Sequence, residues 1–201
     1  MTKNVFRNDE IYKICDFLNN NEVVCVPTDT VFGLCTKIDS IDAYNKLVEI
    51  KNRPKDKAFP IMCSDIKQIE KIAYVNDKAK ILIDKLMPGP LTIILNKKPN
   101  VPYYVTNGKN TIAVRLAATI EIKKIIDYIN CPLFMTSANI SGYSPCLTTN
   151  DVLLQFPNLK AILDGEVQYS YASTIIDCCD DDIKIIRDGP ISVKYINDIL
   201  I

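Results

Sequence analysis

Residues 22–34 read EVVCVPTDTVFGL, and this stretch joins a short apolar run to a compact group of polar side chains. The apolar run predicts a short buried strand that ends at Pro27. Thr28, Asp29 and Thr30 follow directly, and hydroxyls with a carboxylate at a strand end can bind a small polar ligand. A turn or helix cap built from Thr and Asp is the alternative interpretation, and it is slightly favoured for this segment taken alone.

The rest of the chain alternates helical and strand-like hydrophobic patterns. Helical spacing predicts helices over residues 9–20, 41–50, 65–72, 77–87 and 120–130, with short helices near 151–156 and 192–200. Apolar runs predict strands over residues 22–26, 91–95, 111–116, 132–135, 161–164, 173–177 and 183–187. Because several strands are joined by short turns, the predicted fold class is α/β with a mixed sheet and helices packed on it. The length of 201 residues predicts one domain over 1–201.

The composition excludes several kinds of chemistry. The chain contains no histidine, which excludes a Ser-His-Asp triad, a Cys-His pair, an HExxH zinc site and a histidine pH switch. Lys and Arg total 24 and Asp and Glu total 24, so the formal net charge is zero. This balance argues against a uniformly basic nucleic-acid binder and against a polybasic membrane-surface protein. Any chemistry must use hydroxyls, cations, carboxylates, thiols and backbone amides.

The cysteines and the N-terminal sequence bear on location. The chain has eight cysteines with no CxxC pair, and most of them stand in apolar runs. The first residues, MTKNVFRNDE, do not have the pattern of a signal peptide, and no apolar run reaches transmembrane length. We therefore expect reduced, mostly buried thiols in a cytoplasmic protein with no membrane partner. A redox role for the adjacent Cys178 and Cys179 is the alternative.

A second polar cluster, KNRPKDK over residues 51–57, follows the helix predicted over 41–50. Pro54 biases Arg53 toward an extended conformation, in which residues two apart share a face. Four cations would then form one strip suited to a polyphosphate or a nucleic-acid backbone: Lys51, Arg53, Lys55 and Lys57. The alternative is a solvated charge run. Arginine is scarce in this chain and its planar fork suits phosphate, which favours the ligand interpretation.

The third cluster is TSANISG over residues 136–142, directly after a predicted strand. Clustered hydroxyl, amide and turn N–H groups predict an anion-binding nest, with a plain Asx or Ser turn as the alternative. The lack of histidine argues against a serine nucleophile, while a Ser–Lys pair stays open. Thr111 and Arg115 share one face of the strand over 111–116. An arginine in such an apolar strand predicts a carboxylate or phosphate partner.

Taken in order, these segments resemble the YrdC/TsaC family of L-threonylcarbamoyladenylate synthases. The matching segments are VPTDTVFGL (26–34), KNRPKDKAFPIM (51–62), MPGPLTIIL (87–95), TIAVRLA (111–117), TSANISG (136–142), STIID (173–177) and IIRDGP (185–190). They span nearly the whole chain, and their ordered combination is specific although each one alone is weak. The resemblance is to the short, single-domain form of the family.

The resemblance implies a fold, an activity and a set of partners. The fold is a twisted, mostly mixed sheet flanked by helices, with a concave, positively lined cavity. The activity joins L-threonine, bicarbonate or CO2, and ATP into threonylcarbamoyl-AMP with release of pyrophosphate, with Mg²⁺ as the expected metal. A downstream transferase complex then modifies an adenosine of tRNA, and weak tRNA contact by this chain is expected. The matching residues do not indicate which groups would bind the metal ion or which group would act as a general base.

The resemblance also implies the roles of individual residues. The ATP-binding set, to which Lys57 is added from the predicted strip, is Lys51, Arg53, Lys57, Thr111, Ser137, Asn139 and Arg187. Lys51 and Arg53 are the predicted catalytic residues because they could offset negative charge on the reacting phosphate. The L-threonine-binding set is Thr28, Arg115 and Ser173. Two other functions stay open: an RNA-binding module, and a carbamoyl-adenylate-forming domain of the hydrogenase-maturation type.

Overall fold

The computed structural model describes residues 4–54, 57–180 and 182–200. Its strands are β1 (Val5–Phe6), β2 (Val24–Pro27), β3 (Phe32–Lys37), β4 (Ile61–Cys63), β5 (Ala73–Tyr74), β6 (Leu91–Lys97), β7 (Thr111–Leu116), β8 (Leu133–Ser137), β9 (Ile162–Leu163), β10 (Thr174–Asp177) and β11 (Lys184–Arg187). Its α-helices are α1 (Ile11–Asn19), α2 (Ile41–Lys51), α3 (Ile66–Ile72), α4 (Asp77–Leu86), α5 (Tyr103–Thr106), α6 (Ile120–Ile129), α7 (Thr149–Gln155) and α8 (Val193–Leu200).

The strands form one mixed sheet in the order β1-β9-β2-β3-β8-β4-β7-β6-β10-β11, and β5 pairs with β6. The parallel pairs are β1 with β9, β9 with β2, β4 with β7, and β6 with β10. The antiparallel pairs include β2 with β3, β3 with β8, and β6 with β7. The predicted α/β class with a mixed sheet is therefore confirmed.

The connection between β9 and β10 requires the sheet to curl. Residues 164–173, called the crossing segment below, join strands that lie near opposite ends of the sheet. Gln168 and Tyr169 donate backbone hydrogen bonds to the carbonyl of Asp29, in the turn between β2 and β3. Five residues then lead from Tyr169 to β10 and reach at most about 18 Å. The five strand spacings from β3 to β10 would measure about 24 Å in a flat sheet, so the sheet bends toward the crossing segment.

Helices pack on the sheet through two clusters of apolar side chains. One cluster packs α1 and α6 against strand residues such as Val24, through Ile14, Leu18, Ile122, Ile125 and Ile126. The larger cluster includes Leu47 of α2, Leu82 of α4 and Ile196 of α8. Side chains at the N-caps of α2, α4, α6 and α7 accept backbone hydrogen bonds, which stabilises the starts of those helices.

The structure differs from the sequence prediction mainly in strands that carry few β-branched residues. β3 begins at Phe32, inside the segment predicted as a polar cluster after a strand. β4 covers only Ile61–Cys63 and follows a proline. Both strands are buried between neighbours that pair with them, so the sheet specifies their conformation. All the predicted strands and helices are found, with ends shifted by a few residues.

Candidate active site

A cavity of about 300 Å³ lies between the strands and the crossing segment. Three of the four arginines of the chain line it: Arg53, Arg115 and Arg187. Hydroxyl side chains stand beside them, and these are Thr28, Thr30, Thr92, Thr136, Ser137 and Ser173. Apolar side chains such as Ile61, Met62, Ile94 and Met135 form the remaining wall. No carboxylate is among the described lining residues, so the cavity favours anionic ligands.

Lys51 is the last residue of α2, and its ammonium group is buried. Its Nζ atom donates to the carbonyls of Ser137 and Asn139, at 2.6 and 2.9 Å, and to Oδ1 of Asn139 at 2.8 Å. The carbonyl of Lys51 accepts from the backbone N–H of Ser141. Burial, and after it the charge of Arg53, lower the pKa of Lys51 to about 8. These contacts hold the loop over 137–142 to the end of α2.

The predicted cationic strip is wrong. The helix continues through Lys51, and Asn52 then adopts a left-handed backbone conformation, so Lys51 points inward instead of sharing an extended face. Arg53 turns back on its own loop, where Nε and Nη2 donate to the carbonyls of Lys57 and Ala58. Lys57 is exposed and lies outside the described cavity lining. Lys55, the fourth member, lies outside the described residues.

The predicted anion-binding nest is not formed by the backbone amides of residues 138–141. The backbone N–H groups of four consecutive residues donate to protein oxygens, and these residues are Ala138, Asn139, Ile140 and Ser141. A buried ammonium group needs several oxygen partners, and the loop supplies them by turning its carbonyls toward Lys51. Ser137 remains at the cavity and donates from Oγ to Asn139 at 2.6 Å.

Arg115 lies on β7 and is buried beside the turn that follows β2. Its Nη2 atom contacts both carboxylate oxygens of Asp29, its Nε donates to the carbonyl of Gly89, and its Nη1 donates to Oγ1 of Thr30. Burial lowers the pKa of Arg115, and the charge of Asp29 opposes that shift. The carboxylate partner expected from the sequence is therefore Asp29, which comes from the same chain.

The hydroxyl of Thr28 organises the turn over residues 28–31. Its Oγ1 accepts from the backbone N–H groups of Thr30 and Val31 and donates to the carbonyl of Val31 at 2.7 Å. Because that bond uses the only hydroxyl hydrogen of Thr28, the 2.9 Å contact between the two hydroxyls is donated by Thr30.

A second group of contacts joins β6, β10 and β11 across the cavity. Arg187 donates from Nε to the carbonyl of Ser173 and from Nη2 to its hydroxyl, at 2.9 and 3.1 Å. The Ser173 hydroxyl also lies 2.9 Å from the hydroxyl of Thr92. Burial, and after it the positive charge of Arg115, lower the pKa of Arg187. The two arginines therefore face one cavity at a distance where they repel each other.

The structure brings together most of the predicted site residues. At the cavity lie Thr28, Arg53, Arg115, Ser137, Ser173 and Arg187. Lys51 and Asn139 stand behind Ser137, and Thr111 lies outside the described lining, four residues along β7 from Arg115. The roles of Thr111 and Lys57 stay predictions.

One polar residue of the site, Thr92, has no predicted role in the sequence analysis. It is the only polar residue in LTIIL, and that isolated hydroxyl is a usable signal. Asp29 and Thr30 are expected there only as members of a polar cluster, without individual roles. Asp29 gave no signal that its partner would be 86 positions away.

Among residues 4–54, 57–180 and 182–200, no group of three or more acidic or cysteine side chains could hold a metal ion. In the same described part of the chain, no helix has both the length and the apolar character needed to cross a membrane.

Two proteins that are similar to this chain are named for the same enzyme activity. A putative threonylcarbamoyl-AMP synthase of Methanocaldococcus jannaschii is 38% identical over 192 residues, covering 92% of this chain and 90% of the relative. A threonylcarbamoyl-AMP synthase of Buchnera aphidicola is 38% identical over 155 residues, covering 75% of this chain and 87% of the relative.

A solved structure, Pyrococcus abyssi Sua5 complexed with L-threonine, superposes with a TM-score of 0.93 at 29% identity. The alignment covers 98% of this chain, which spans about 60% of that longer protein. A family model described as "Telomere recombination" and named Sua5_yciO_yrdC matches residues 16–189. Because this match includes most of the sequence, the chain belongs to the Sua5/YciO/YrdC family.

Proposed function

We propose that the protein is a threonylcarbamoyl-AMP synthase, a nucleotidyltransferase that condenses L-threonine, bicarbonate or CO2, and ATP. The observation that carries this proposal is one cavity that Arg53, Arg115 and Arg187 line, without a carboxylate in its described lining. The hydroxyls beside these arginines suit a small hydroxylated amino acid, and the cations suit a carboxylate and phosphates. The names of the two relatives at 38% identity support the same reaction over either alternative function.

The chemistry takes place in two steps. The amine nitrogen of L-threonine attacks the carbon of CO2, a C–N bond forms, and one amine proton leaves to solvent. An oxygen of the resulting carbamate attacks the α-phosphorus of ATP, and the bond from that phosphorus to the bridging oxygen breaks. Pyrophosphate leaves with the electron pair. Negative charge grows on the phosphoryl oxygens, where arginine side chains stabilise it, and holding three reactants together supplies much of the acceleration.

We assign the ATP side of the cavity to Arg53, Ser137 and Arg187. Lys51 and Asn139 act on this side as positioning residues, because the Lys51 ammonium group is directed to protein oxygens. In this assignment Lys51 does not contact phosphate directly, which differs from the role predicted for it from the sequence.

We assign the L-threonine side to Arg115 and Ser173, with Thr28 acting through the turn that presents Thr30. The chain works as a single domain in this proposal.

Mg²⁺ would accompany the phosphates of ATP, and none of the steps above depends on a metal ligand from the protein. The product is a mixed anhydride of a carbamate and a phosphate, which is reactive toward amines. A separate transferase is therefore proposed to consume it for the modification of tRNA in the cytoplasm. We propose that this chain contacts tRNA only weakly, because the net charge of the chain is zero.

The test is release of pyrophosphate from ATP, measured with and without L-threonine and bicarbonate. We expect release only when both are present, with threonylcarbamoyl-AMP as the product by mass spectrometry. Arg53→Ala should lower turnover by about 100-fold, as loss of one transition-state donor does in other enzymes. The matched control is Arg7→Ala, because Arg7 is exposed and pairs with Asp9 away from the cavity. Pyrophosphate release that ignores either substrate would contradict the proposal.

A further inference from the structure

The ion pair between Asp29 and Arg115 has an end-on geometry. A single nitrogen, Nη2, contacts both carboxylate oxygens, whereas the common paired arrangement uses two nitrogens of the guanidinium. Nε is held at the same time by the carbonyl of Gly89, and Nη1 donates to Thr30 at the cavity. Three partners on three different nitrogens fix both the position and the plane of the guanidinium group.

The two members of this pair lie on different cavities. Arg115 lines the cavity described above, whereas Asp29 lines a second cavity of about 370 Å³ on the other side. That second cavity is bounded by residues 87–90, Gln168 and Tyr169. The ion pair therefore lies where the two cavities adjoin.

The charge of Asp29 has a further consequence for the neighbouring arginine. Arg115 and Arg187 face one cavity, and the positive charge of Arg115 disfavours the charged form of Arg187. A buried carboxylate on the far side of Arg115 offsets part of this repulsion, since opposite charges attract strongly in a poorly solvated interior. Asp29 thus favours the charged state of two arginines that share one cavity.

We infer that Asp29 is a positioning residue for substrate binding, which sets the Arg115 guanidinium so that its Nη1 edge, beside Thr30, meets the carboxylate of the amino-acid substrate. This inference rests on the proposed function. Asp29 acts through Arg115 and does not touch substrate. Its side chain and backbone have separate tasks, because the Asp29 carbonyl holds the crossing segment.

The first test is Asp29→Asn, which keeps the shape and the backbone contacts and removes the charge. We expect the KM for L-threonine to rise by about 10- to 100-fold, as loss of one partner of a buried charge pair does elsewhere. The KM for ATP should change less than the KM for L-threonine, because Asp29 contacts Arg115 directly and reaches Arg187 only through the charge of Arg115. The matched control is Asp127→Asn, because Asp127 forms an exposed ion pair with Lys123 on α6. Direct binding of L-threonine, measured by calorimetry, should follow the KM for L-threonine.

The second test is Asp29→Ala with added sodium formate. Formate is small enough to occupy the space left by the carboxylate and to pair with Arg115 again. We expect formate to lower the KM for L-threonine of this variant toward the wild-type value, while sodium chloride at equal ionic strength has no such effect. Arg115→Ala should not be rescued by formate. A purely structural role for Asp29 would not give rescue that is specific to a carboxylate.

The outcomes separate the inference from the proposed function. Wild-type protein that binds no L-threonine would overturn the proposed function and the inference with it. Wild-type protein that binds L-threonine, with Asp29→Asn binding it equally well, would overturn the inference alone. Rescue by chloride as effective as by formate would also overturn it. If Asp29→Ala does not fold, as judged by circular dichroism, the comparison of Asp29→Asn with Asp127→Asn decides.

Discussion

The positively charged side chains around the cavity differ in their burial and in their hydrogen-bond partners. Lys51 and Arg115 are buried, and their hydrogen-bond partners are several oxygens from other elements. Arg187 lies at the edge of the cavity and donates to the carbonyl and the hydroxyl of Ser173. Since a buried charge is stable only with partners, the buried cations organise the walls. The cations at the cavity edge are the ones suited to meet phosphate.

The ammonium group of Lys51 gives a prediction about pH. Its pKa is lowered to about 8, so it loses its charge in a range where most lysines keep theirs. A neutral amine has only two N–H groups and cannot hold three oxygens of the loop over 137–142. We expect the affinity for a non-hydrolysable ATP analogue to fall by about tenfold from pH 7 to pH 9. Calorimetric titration at several pH values measures this.

Two variants and a stability measurement control the pH experiment. Lys51→Met should bind the analogue weakly without an inflection near pH 8, and Lys46→Met, a partly exposed lysine paired with Glu22, should keep the inflection. Between the folded pKa of Lys51 and the value of about 10.4 for an unfolded chain, the unfolded chain binds more protons. The contribution of Lys51 to the free energy of unfolding therefore rises with pH in that window. Affinity that falls together with global stability would contradict the prediction.

The turn over residues 28–31 gives a prediction about stability. Thr28→Val removes an acceptor from two buried backbone N–H groups and should lower the free energy of unfolding by about 1–3 kcal/mol. Thr28→Ser keeps the hydroxyl and should lose less than about 1 kcal/mol. Thr36→Val is a matched control, because that buried hydroxyl makes one bond, to the carbonyl of Glu22. Urea unfolding measures all three variants, and equal losses for Thr28→Val and Thr36→Val would contradict this account.

At the scale of the elements, the end of β11 is held tightly against the start of β10. A Cβ atom placed on Gly189 would lie 2.2 Å from the backbone nitrogen of Thr174 and 2.6 Å from the backbone carbon of Ser173. Backbone atoms cannot move aside as a flexible side chain can. The close approach lets Arg187, two residues earlier, reach both polar groups of Ser173.

Gly189→Ala should therefore separate these two segments. We expect it to lower the free energy of unfolding by about 1–3 kcal/mol, as overpacking does in other proteins, and to weaken binding of the ATP analogue. Asp188→Ala is the control, because the neighbouring aspartate is exposed. Urea unfolding and calorimetry measure the two effects. Wild-type stability in Gly189→Ala would show that the two segments can move apart freely.

At the scale of the whole molecule, the curled sheet and its helices bury nearly all the thiols. Seven of the eight cysteines are buried, Cys179 is partly buried, and none forms a disulfide. This result confirms the expectation that most of the thiols are buried. Burial raises the pKa of Cys15 and Cys146 to about 11 and that of Cys178 and Cys179 to about 12. A thiol that stays protonated and covered reacts slowly.

Thiol labelling should therefore report on global unfolding. With a disulfide reagent near pH 7.5, we expect slow reaction of the native protein, with Cys179 labelled first by mass spectrometry. In urea all eight thiols should react at once. The time course in the presence of ATP should be slower if binding stabilises the fold. Rapid loss of two native thiols, with a link between Cys178 and Cys179, would instead support the redox alternative.

Local sequence determined much of this protein. Hydrophobic spacing predicted the helices and most strands, polar clusters marked the strand ends, and the lack of histidine restricted the chemistry. Only the tertiary structure decided the strand order, the inward direction of Lys51, and the pairing of Asp29 with Arg115. Periodicity reports which face of an element is buried, but it carries no information on which distant element covers that face. Contacts between residues 86 positions apart exist only once the sheet has formed, and the candidate site is built from such contacts.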